Sequence, residues 1–174
     1  LLGIPGDVWG IPVQNLIIIA IFAIASYTDH LDGKIARKCN LVTTFGKFAD
    51  PLADKILVLS AMLMLVEMDY LPAWIPIIVL AREFVVSGYR LVAVEKGGKV
   101  IAASIWGKIK TCTQMIAIIL AFLDLNNFGA FISGNLTGYS LVINVLSSSL
   151  MLISTIAAVF SGVDYLKGGK ELLK

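Results

Sequence analysis

Four aspartates lie close together in a chain whose other long stretches are apolar. They fall within 26 residues of one another: Asp29, Asp32, Asp50 and Asp54. A carboxylate at the centre of a membrane helix costs about 2.5–3.5 kcal/mol on insertion scales, and four such groups also repel one another. A divalent cation among them would offset both effects, and oxygen-rich sites favour hard ions such as Mg²⁺ or Mn²⁺. The sequence therefore predicts a site for one or two divalent ions.

The spacing of the four aspartates predicts two pairs on two helices. The first two are three residues apart and the last two are four apart, so each pair projects from one helical face. The stretch from Gly33 to about Val42 is polar enough for a short connection between antiparallel helices, which would bring both pairs to one end of a bundle. Gly33 and Gly46 each remove a side chain beside a carboxylate, which permits the close approach of a ligand such as a diphosphate.

Composition and hydropathy indicate a polytopic membrane protein. Of the 174 residues, 58% are hydrophobic and 15% are charged, and the mean hydropathy is +0.89. A soluble domain has roughly 45–50% apolar and about 25% charged residues. The apolar runs predict five spans: about Val13 to Thr28, Thr43 or Thr44 to Val66, Trp74 to Val94, Ile105 to Leu123, and Tyr139 to Phe160 with a continuation to Tyr165. The predicted fold is all-α, a single membrane-embedded helix bundle covering residues 1–174.

The basic residues predict the orientation of the bundle. All 14 Lys and Arg residues fall into three groups: after the first span, around the third-to-fourth connection, and at the carboxyl end. The amino-terminal segment, the turn around Glu67 to Asp69, and the loop from Asp124 to Gly138 have none and are expected at the opposite rim of the membrane. Because Lys and Arg accumulate on the cytoplasmic side, the aspartates are expected to face the cytoplasm, and Tyr165 is expected to be an interfacial anchor near that face. The expected surroundings are a lipid bilayer, with no nucleic acid as partner.

The aspartates belong to a longer pattern that resembles the signature of the CDP-alcohol phosphatidyltransferases. The pattern D-x-x-D-G-x-x-A-R-x(8)-G-x-x-x-D-x-x-x-D runs from Asp29 to Asp54, and every fixed position is present. The resemblance implies an enzyme with two divalent ions, Mg²⁺ or Mn²⁺, that transfers the phosphatidyl group of CDP-diacylglycerol to an alcohol. It also implies a fold of six transmembrane helices, a cytoplasm-facing site in a bacterial-type inner membrane, and a homodimer.

The same resemblance implies a role for each fixed residue. Asp29, Asp32 and Asp50 would be metal ligands. Asp54 would lie at the metal as well and act as the base that removes the proton of the acceptor hydroxyl. The residues that would line the CDP moiety are Asp29, Gly33, Ala36, Arg37 and Gly46.

Cations in the third and fourth spans are candidates for binding the acceptor. Arg82 and Glu83 lie near the middle of an apolar run, where an ionisable residue suggests a function by default. The candidate acceptor-phosphate residues are Arg82, Arg90, Lys108 and Lys110. Their segments resemble those of phosphatidylglycerophosphate synthases within the family, which implies sn-glycerol 3-phosphate as acceptor, with phosphatidylglycerophosphate and CMP as products. Inositol phosphate also carries a phosphate, so it stays an alternative acceptor.

The same charged residues are also compatible with a structural role or with ion transport. Arg82 and Glu83 could form a purely structural ion pair, and the remaining cations could anchor helix ends on the positive side of the membrane. A cation transporter could also use intramembrane carboxylates, although these lie at one membrane face only. Dependence on a lipid nucleotide separates an enzyme from a transporter.

The amino-terminal residues differ from the pattern of the resembled family. Its members usually have a further segment and a membrane helix before the span that ends at Asp29. Here Leu1 to Gln14 precede that span, and the glycines and Pro5 in this stretch predict a loop. The expectation is that the first helix of the family fold is missing from this chain.

Overall fold

The computed structural model describes the backbone of residues 6–8, 10–38, 44–95 and 105–168, and in these ranges the side chains of all but residues 8, 29–30, 32–38, 44–52, 90–95 and 168. This part of the chain is almost entirely helical, as the sequence predicts. Its helices are α1 (Val13–Lys38), α2 (Thr44–Glu67), α3 (Trp74–Glu95), α4 (Ile105–Asp124) and α5 (Gly138–Gly168), with a 3-10 turn at Ala130–Ser133. The all-α prediction is confirmed, and α3 and α4 begin at the predicted residues.

Among the residues before α1, those that the structure describes form a small hairpin where the sequence predicted a loop. Strand β1 (Asp7–Val8) pairs antiparallel with β2 (Ile11–Pro12), and Gly10 takes the left-handed φ of 79° that the tight turn requires. The Val13 amide donates to the Gly6 carbonyl at 3.1 Å, so the hairpin leads directly into α1.

Helix α1 is longer than predicted. The sequence indicated a polar connection starting at Gly33, whereas the helix runs without a break to Lys38. That prediction was wrong because polarity is not a helix stop: Ala36, Arg37 and Lys38 are good helix formers, and one glycine costs only about 1 kcal/mol. The first aspartate pair therefore lies on α1 and the second pair on α2, and the two helices pack against each other.

The helices alternate in direction, which gives the bundle two distinct ends. The far end contains the starts of α1, α3 and α5 with the ends of α2 and α4, and the aspartate end is opposite. At the far end, the amides of Tyr70 and Leu71 both donate to the Leu65 carbonyl and close α2, while Asp69 takes a φ of 58° in the turn. The apolar core lies in this half and includes Phe22, Met62, Leu65, Ile75, Ile118, Phe122 and Met151.

A buried carboxylate joins α4 to α5 at the far end. Asp124 was expected in a loop at the membrane rim, but it is the last residue of α4 and is only 6% exposed. It accepts hydrogen bonds from Asn144 Nδ2 at 2.8 Å and Ser147 Oγ at 2.7 Å, both on α5. Asn126 Nδ2 donates to it at 3.1 Å. Neutral donors therefore satisfy this carboxylate, as burial requires.

Two further bonds hold the α4–α5 connection to α5. The Gly129 amide donates to Ser148 Oγ at 3.0 Å, and the Phe131 amide donates to Asn144 Oδ1 at 2.8 Å. The group formed by Asp124, Asn126, Asn144, Ser147 and Ser148 is called the far-end polar cluster below.

A second buried contact at the far end joins α1 to α4. Asn15 is fully buried in the first turn of α1, and its Nδ2 donates to the Phe122 carbonyl at 2.9 Å. Phe122 lies in the last turn of α4, where carbonyls lack intrahelical partners. Asn15 therefore caps the carboxyl end of a neighbouring helix and fixes α1 against it.

The outer surface is apolar in a way that suits lipid. In the part of the chain that the structure describes, α4 and residues 138–167 of α5 are long and apolar enough to cross a membrane, and the apolar stretch of α1 at residues 13–28 is shorter. Ile77, Ile116 and Ile156 are more than half exposed on three different helices. Lipid tails are as apolar as these side chains, so this surface indicates a membrane protein.

Candidate functional site

An open cleft of about 840 Å³ lies between α2, α3 and α4 toward the aspartate end. Its apolar lining includes Val58, Leu59, Val79 and Met115. Its charged lining residues are Asp54, Lys55, Arg82, Glu83, Lys108 and Lys110. The cleft therefore combines a surface for an apolar group with a densely charged surface, as an amphipathic substrate would require.

Glu83 is the centre of the charged group in the cleft. Its Oε1 lies 2.8 Å from both Arg82 Nη1 and Lys110 Nζ, so one oxygen joins a cation of α3 to a cation of α4. Its Oε2 lies 3.6 Å from Lys55 Nζ, which reaches across from α2 and also donates to Ser87 Oγ. The group of Glu83, Lys55, Arg82 and Lys110 is called the Glu83 cluster below, and it ties three helices together.

The Glu83 cluster carries two more positive than negative charges. Its side chains are partly or well buried, with exposures of 9% for Lys110, 12% for Arg82, 15% for Glu83 and 33% for Lys55. Charges interact more strongly in such a setting than in water, and an unbalanced positive group there attracts an anion. A phosphate is the natural partner for Lys and Arg side chains gathered in this way.

The Arg82–Glu83 ion pair that the sequence allowed as a structural contact is present. It is not an isolated pair, because Lys110 shares the same carboxylate oxygen and Arg82 Nη2 donates to Ser161 Oγ of α5 at 2.6 Å. Lys108 also lines the cleft and is exposed, so of the four predicted acceptor-phosphate cations three line one cleft. Arg90 lies on α3, and its side chain is outside the described residues.

Asp54 faces the same cleft as these cations. It lies on α2 one residue before Lys55 and is half-buried. The predicted base and three of the four predicted acceptor-phosphate residues, which are distant in sequence, therefore line one cleft.

The remaining predicted site residues lie on α1 and the first half of α2, and their side chains are outside the described residues. They are Asp29, Asp32, Gly33, Ala36, Arg37, Gly46 and Asp50. The donor chemistry fits a divalent ion, since four carboxylates lie on two helices that are consecutive and packed together. Among the described side chains, no group of three or more His, Cys, Asp or Glu is placed to hold a metal. The metal and CDP sites stay predictions.

Sequence reasoning missed several residues of the cleft. Lys55 was counted only as a charge for orientation, although a lysine beside a carboxylate in an apolar run is itself a signal. Tyr165 was expected as an interfacial anchor, whereas it is 2% exposed and lines the cleft from α5. Ser161 lies four residues before Tyr165, and this spacing places both on one face of α5.

Comparison with known proteins gives a consistent result. The profile of the CDP-alcohol phosphatidyltransferase family matches residues 1–160. A Bacillus subtilis protein named CDP-diacylglycerol–glycerol-3-phosphate 3-phosphatidyltransferase is 43% identical over 164 residues, which cover 94% of this chain and 79% of that protein. A Haemophilus influenzae protein of the same name is 35% identical over 169 residues, covering 94% of this chain and 83% of its own length.

A third similar protein has a related name. A Mycobacterium tuberculosis protein named as a probable phosphatidylglycerophosphate synthase is 40% identical over 146 residues, which cover 84% of this chain and 62% of that protein. The similarity therefore extends over most of the described helices, including those that form the cleft.

Proposed function

Because the chain belongs to the CDP-alcohol phosphatidyltransferase family, we propose that it transfers the phosphatidyl group of CDP-diacylglycerol to sn-glycerol 3-phosphate. The products are phosphatidylglycerophosphate and CMP. Similar proteins from several bacteria carry the name of this reaction, which supports the acceptor as well as the reaction type.

The observation that carries the proposal is the shared cleft of Asp54 and the cations. Glycerol 3-phosphate has a hydroxyl at one end and a phosphate at the other. The hydroxyl is received at Asp54, and the phosphate is attracted by the positive charge of Arg82, Lys108 and Lys110, to which Arg90 is expected to add. Uncharged inositol, or choline with its own positive charge, would leave the excess positive charge of the cleft unbalanced.

The reaction then proceeds by proton removal and displacement at phosphorus. Asp54 accepts the proton of the acceptor hydroxyl as the hydroxyl oxygen forms a bond to the phosphorus that carries the diacylglycerol. The bond between this phosphorus and the oxygen of CMP breaks, and CMP leaves with the electron pair. Positioning and electrostatic stabilisation provide most of the rate enhancement in such transfers.

The carboxylates of Asp29, Asp32, Asp50 and Asp54 would hold two divalent ions, Mg²⁺ or Mn²⁺. Such ions would neutralise negative charge on the diphosphate and on the departing CMP. Asp29, Gly33, Ala36, Arg37 and Gly46 would bind the CDP moiety, as the family signature implies.

The proposal also includes the setting of the enzyme. We expect the family fold of six transmembrane helices, five of which are present in the described residues, a multi-pass position in a bacterial-type inner membrane with the cleft facing the cytoplasm, and a homodimer. The distribution of Lys and Arg supports the orientation. The apolar surface of the described helices supports the bilayer as the surroundings of the diacylglycerol tails.

Acceptor selection tests the proposal directly. The purified protein is given CDP-diacylglycerol, Mg²⁺ or Mn²⁺, and one radiolabelled acceptor at a time: glycerol 3-phosphate, inositol phosphate, inositol or serine. Label is expected in lipid, with an equal amount of CMP, only for glycerol 3-phosphate and only with a divalent ion. Labelled lipid from inositol phosphate would contradict the assignment of glycerol 3-phosphate as the acceptor. If no CMP is released with any of the four acceptors, the proposed enzymatic activity is wrong. Divalent-ion flux in vesicles without lipid nucleotide would favour the transporter.

A further inference from the structure

The three cations of the Glu83 cluster are not held equally. Arg82 and Lys110 each lie 2.8 Å from Glu83 Oε1, a hydrogen-bonded ion-pair distance. Lys55 lies 3.6 Å from Glu83 Oε2, which is beyond hydrogen-bond distance, and its hydrogen bond goes to the neutral Ser87 hydroxyl. Of the three cations, Lys55 therefore interacts least strongly with the Glu83 carboxylate.

Lys55 is also the most exposed of the three cations. The side chain of Lys55 is 33% exposed, compared with 12% for Arg82 and 9% for Lys110. An anion entering the cleft reaches Lys55 by replacing only the longer, 3.6 Å ion pair with Glu83. Contact with Lys110 or Arg82 would require the anion to compete with Glu83.

The position of Lys55 on α2 adds a geometric reason. Lys55 follows Asp54 directly in the sequence, and both line the cleft. Their Cα atoms are therefore about 3.8 Å apart, a separation fixed by the chain itself. A small molecule with a hydroxyl at one end and a phosphate at the other would meet both residues from a single turn of one helix.

We propose that Lys55 is a direct ligand of the acceptor phosphate and sets the position of the acceptor hydroxyl at Asp54. Glu83 is a positioning residue: it holds Arg82 and Lys110 in place behind Lys55, so that their charge reaches the anion without direct contact. This inference rests on the proposed function and assigns the acceptor phosphate to a residue outside the set Arg82, Arg90, Lys108 and Lys110.

Kinetics of Lys55→Met test the inference, with Lys167→Met as the matched control. Lys167 is exposed in the last turn of α5 and does not line the cleft. Loss of a charged hydrogen bond to phosphate raises the KM for glycerol 3-phosphate in Lys55→Met by roughly 10- to 100-fold, with the KM for CDP-diacylglycerol unchanged. Lys55→Arg recovers part of the affinity, and Lys167→Met behaves as the unsubstituted protein.

A second measurement covers the case in which Lys55→Met has no measurable turnover. Thermal unfolding is followed with CDP alone and with inorganic phosphate alone. The inference expects CDP to stabilise Lys55→Met as it stabilises the unsubstituted protein, while stabilisation by phosphate is lost. Ser87→Ala, which removes only the neutral partner of Lys55, raises the KM for glycerol 3-phosphate by about 2- to 10-fold.

The outcomes distinguish the inference from the proposed function. If the unsubstituted protein uses glycerol 3-phosphate and Lys55→Met keeps its KM, Lys55 is not a phosphate ligand and the proposed function stands. If Lys55→Met loses stabilisation by CDP and by phosphate together, its role is structural and the inference fails. If the unsubstituted protein does not use glycerol 3-phosphate, both fail.

Discussion

The two ends of the bundle each hold a carboxylate, buried at one end and partly buried at the other, but they surround it with different chemistry. At the far end, Asp124 is bonded by the neutral donors Asn126, Asn144 and Ser147. Toward the aspartate end, Glu83 is surrounded by Arg82, Lys110 and Lys55. Neutral donors satisfy a carboxylate and leave nothing to attract a ligand, whereas three cations around one carboxylate leave an excess of positive charge. The first arrangement builds a structure and the second builds an anion site.

The packing around the two groups follows the same division. The apolar core lies in the half of the bundle that contains the far-end polar cluster, and the open cleft lies in the half that contains the Glu83 cluster. Such a division is useful in a membrane enzyme. The tightly packed half holds the helices together, while the other half stays open to a substrate. Substitutions at the two ends test whether function and stability separate in this way.

The largest expected effect is on the cleft side and comes from Asp54→Asn. Removing the base is expected to lower the rate of CMP release by roughly 10²- to 10⁴-fold, while the binding of metal and CDP-diacylglycerol stays largely intact. Single-turnover assays and CDP-dependent thermal stabilisation measure the two properties. Asp164→Asn, on an exposed residue of α5, is the matched control. Near-normal turnover of Asp54→Asn would remove this residue as the base.

Glu83→Gln is expected to have the next largest effect. Without the carboxylate, Arg82, Lys110 and Lys55 repel one another and lose their common position. The KM for glycerol 3-phosphate should rise by roughly tenfold or more, with a smaller change in the KM for CDP-diacylglycerol. Steady-state kinetics with each substrate varied in turn measure the split. An unchanged acceptor KM would show that the cluster is structural, as the far-end cluster is.

Asp124→Asn makes the corresponding change at the far end and should give the opposite pattern. The amide has one acceptor oxygen, so it cannot accept from Asn144 and Ser147 and also from Asn126, and the free energy of unfolding should fall by about 1–3 kcal/mol. Thermal or denaturant unfolding in detergent measures the loss. The KM for glycerol 3-phosphate of the folded protein is expected to be unchanged, and an effect on it would contradict the division between the two ends.

Ser148→Ala should have the smallest effect. It removes the acceptor of the Gly129 amide, which corresponds to about 0.5–1.5 kcal/mol of stability. Ser149→Ala is the neighbouring control in the same helix, and the difference in melting temperature between the two variants measures the bond. A difference in acceptor KM between them is not expected.

The helices were largely predictable from the sequence, and their exceptions have a physical reason. The starts of α3 and α4 could be predicted from the apolar runs. In α3 the run begins directly after a turn that contains Pro72, which marks the first residues of the helix clearly. The extension of α1 beyond Asp32 was missed because polar residues at a helix end can lie in the interfacial region of a membrane without ending the helix. Asp124 was assigned to a loop because its partners Asn144 and Ser147 lie about twenty residues away in sequence.

The site was predictable in its residues but not in its contacts. The aspartate pattern and the Arg82–Glu83 pair could be recognised because their spacing is local. That Lys110 and Lys55 share Glu83 depends on the rotation and relative height of three helices, which no local pattern reports. The predicted role of Tyr165 was wrong for the same reason. A tyrosine near a helix end has the same sequence signature whether it faces headgroups or a neighbouring helix.

The Asn15 bond to the Phe122 carbonyl has a long-range consequence. Asn15 and Asp29 are separated by fourteen residues of one continuous helix, or about 21 Å. A single amide at one end of the bundle therefore fixes the position and rotation of the helix that carries Asp29. Inserting one residue between Asn15 and Asp29 would turn everything beyond the insertion by about 100° about the helix axis while leaving the Asn15 bond unchanged. The direction in which Asp29 projects therefore depends on the length of this stretch.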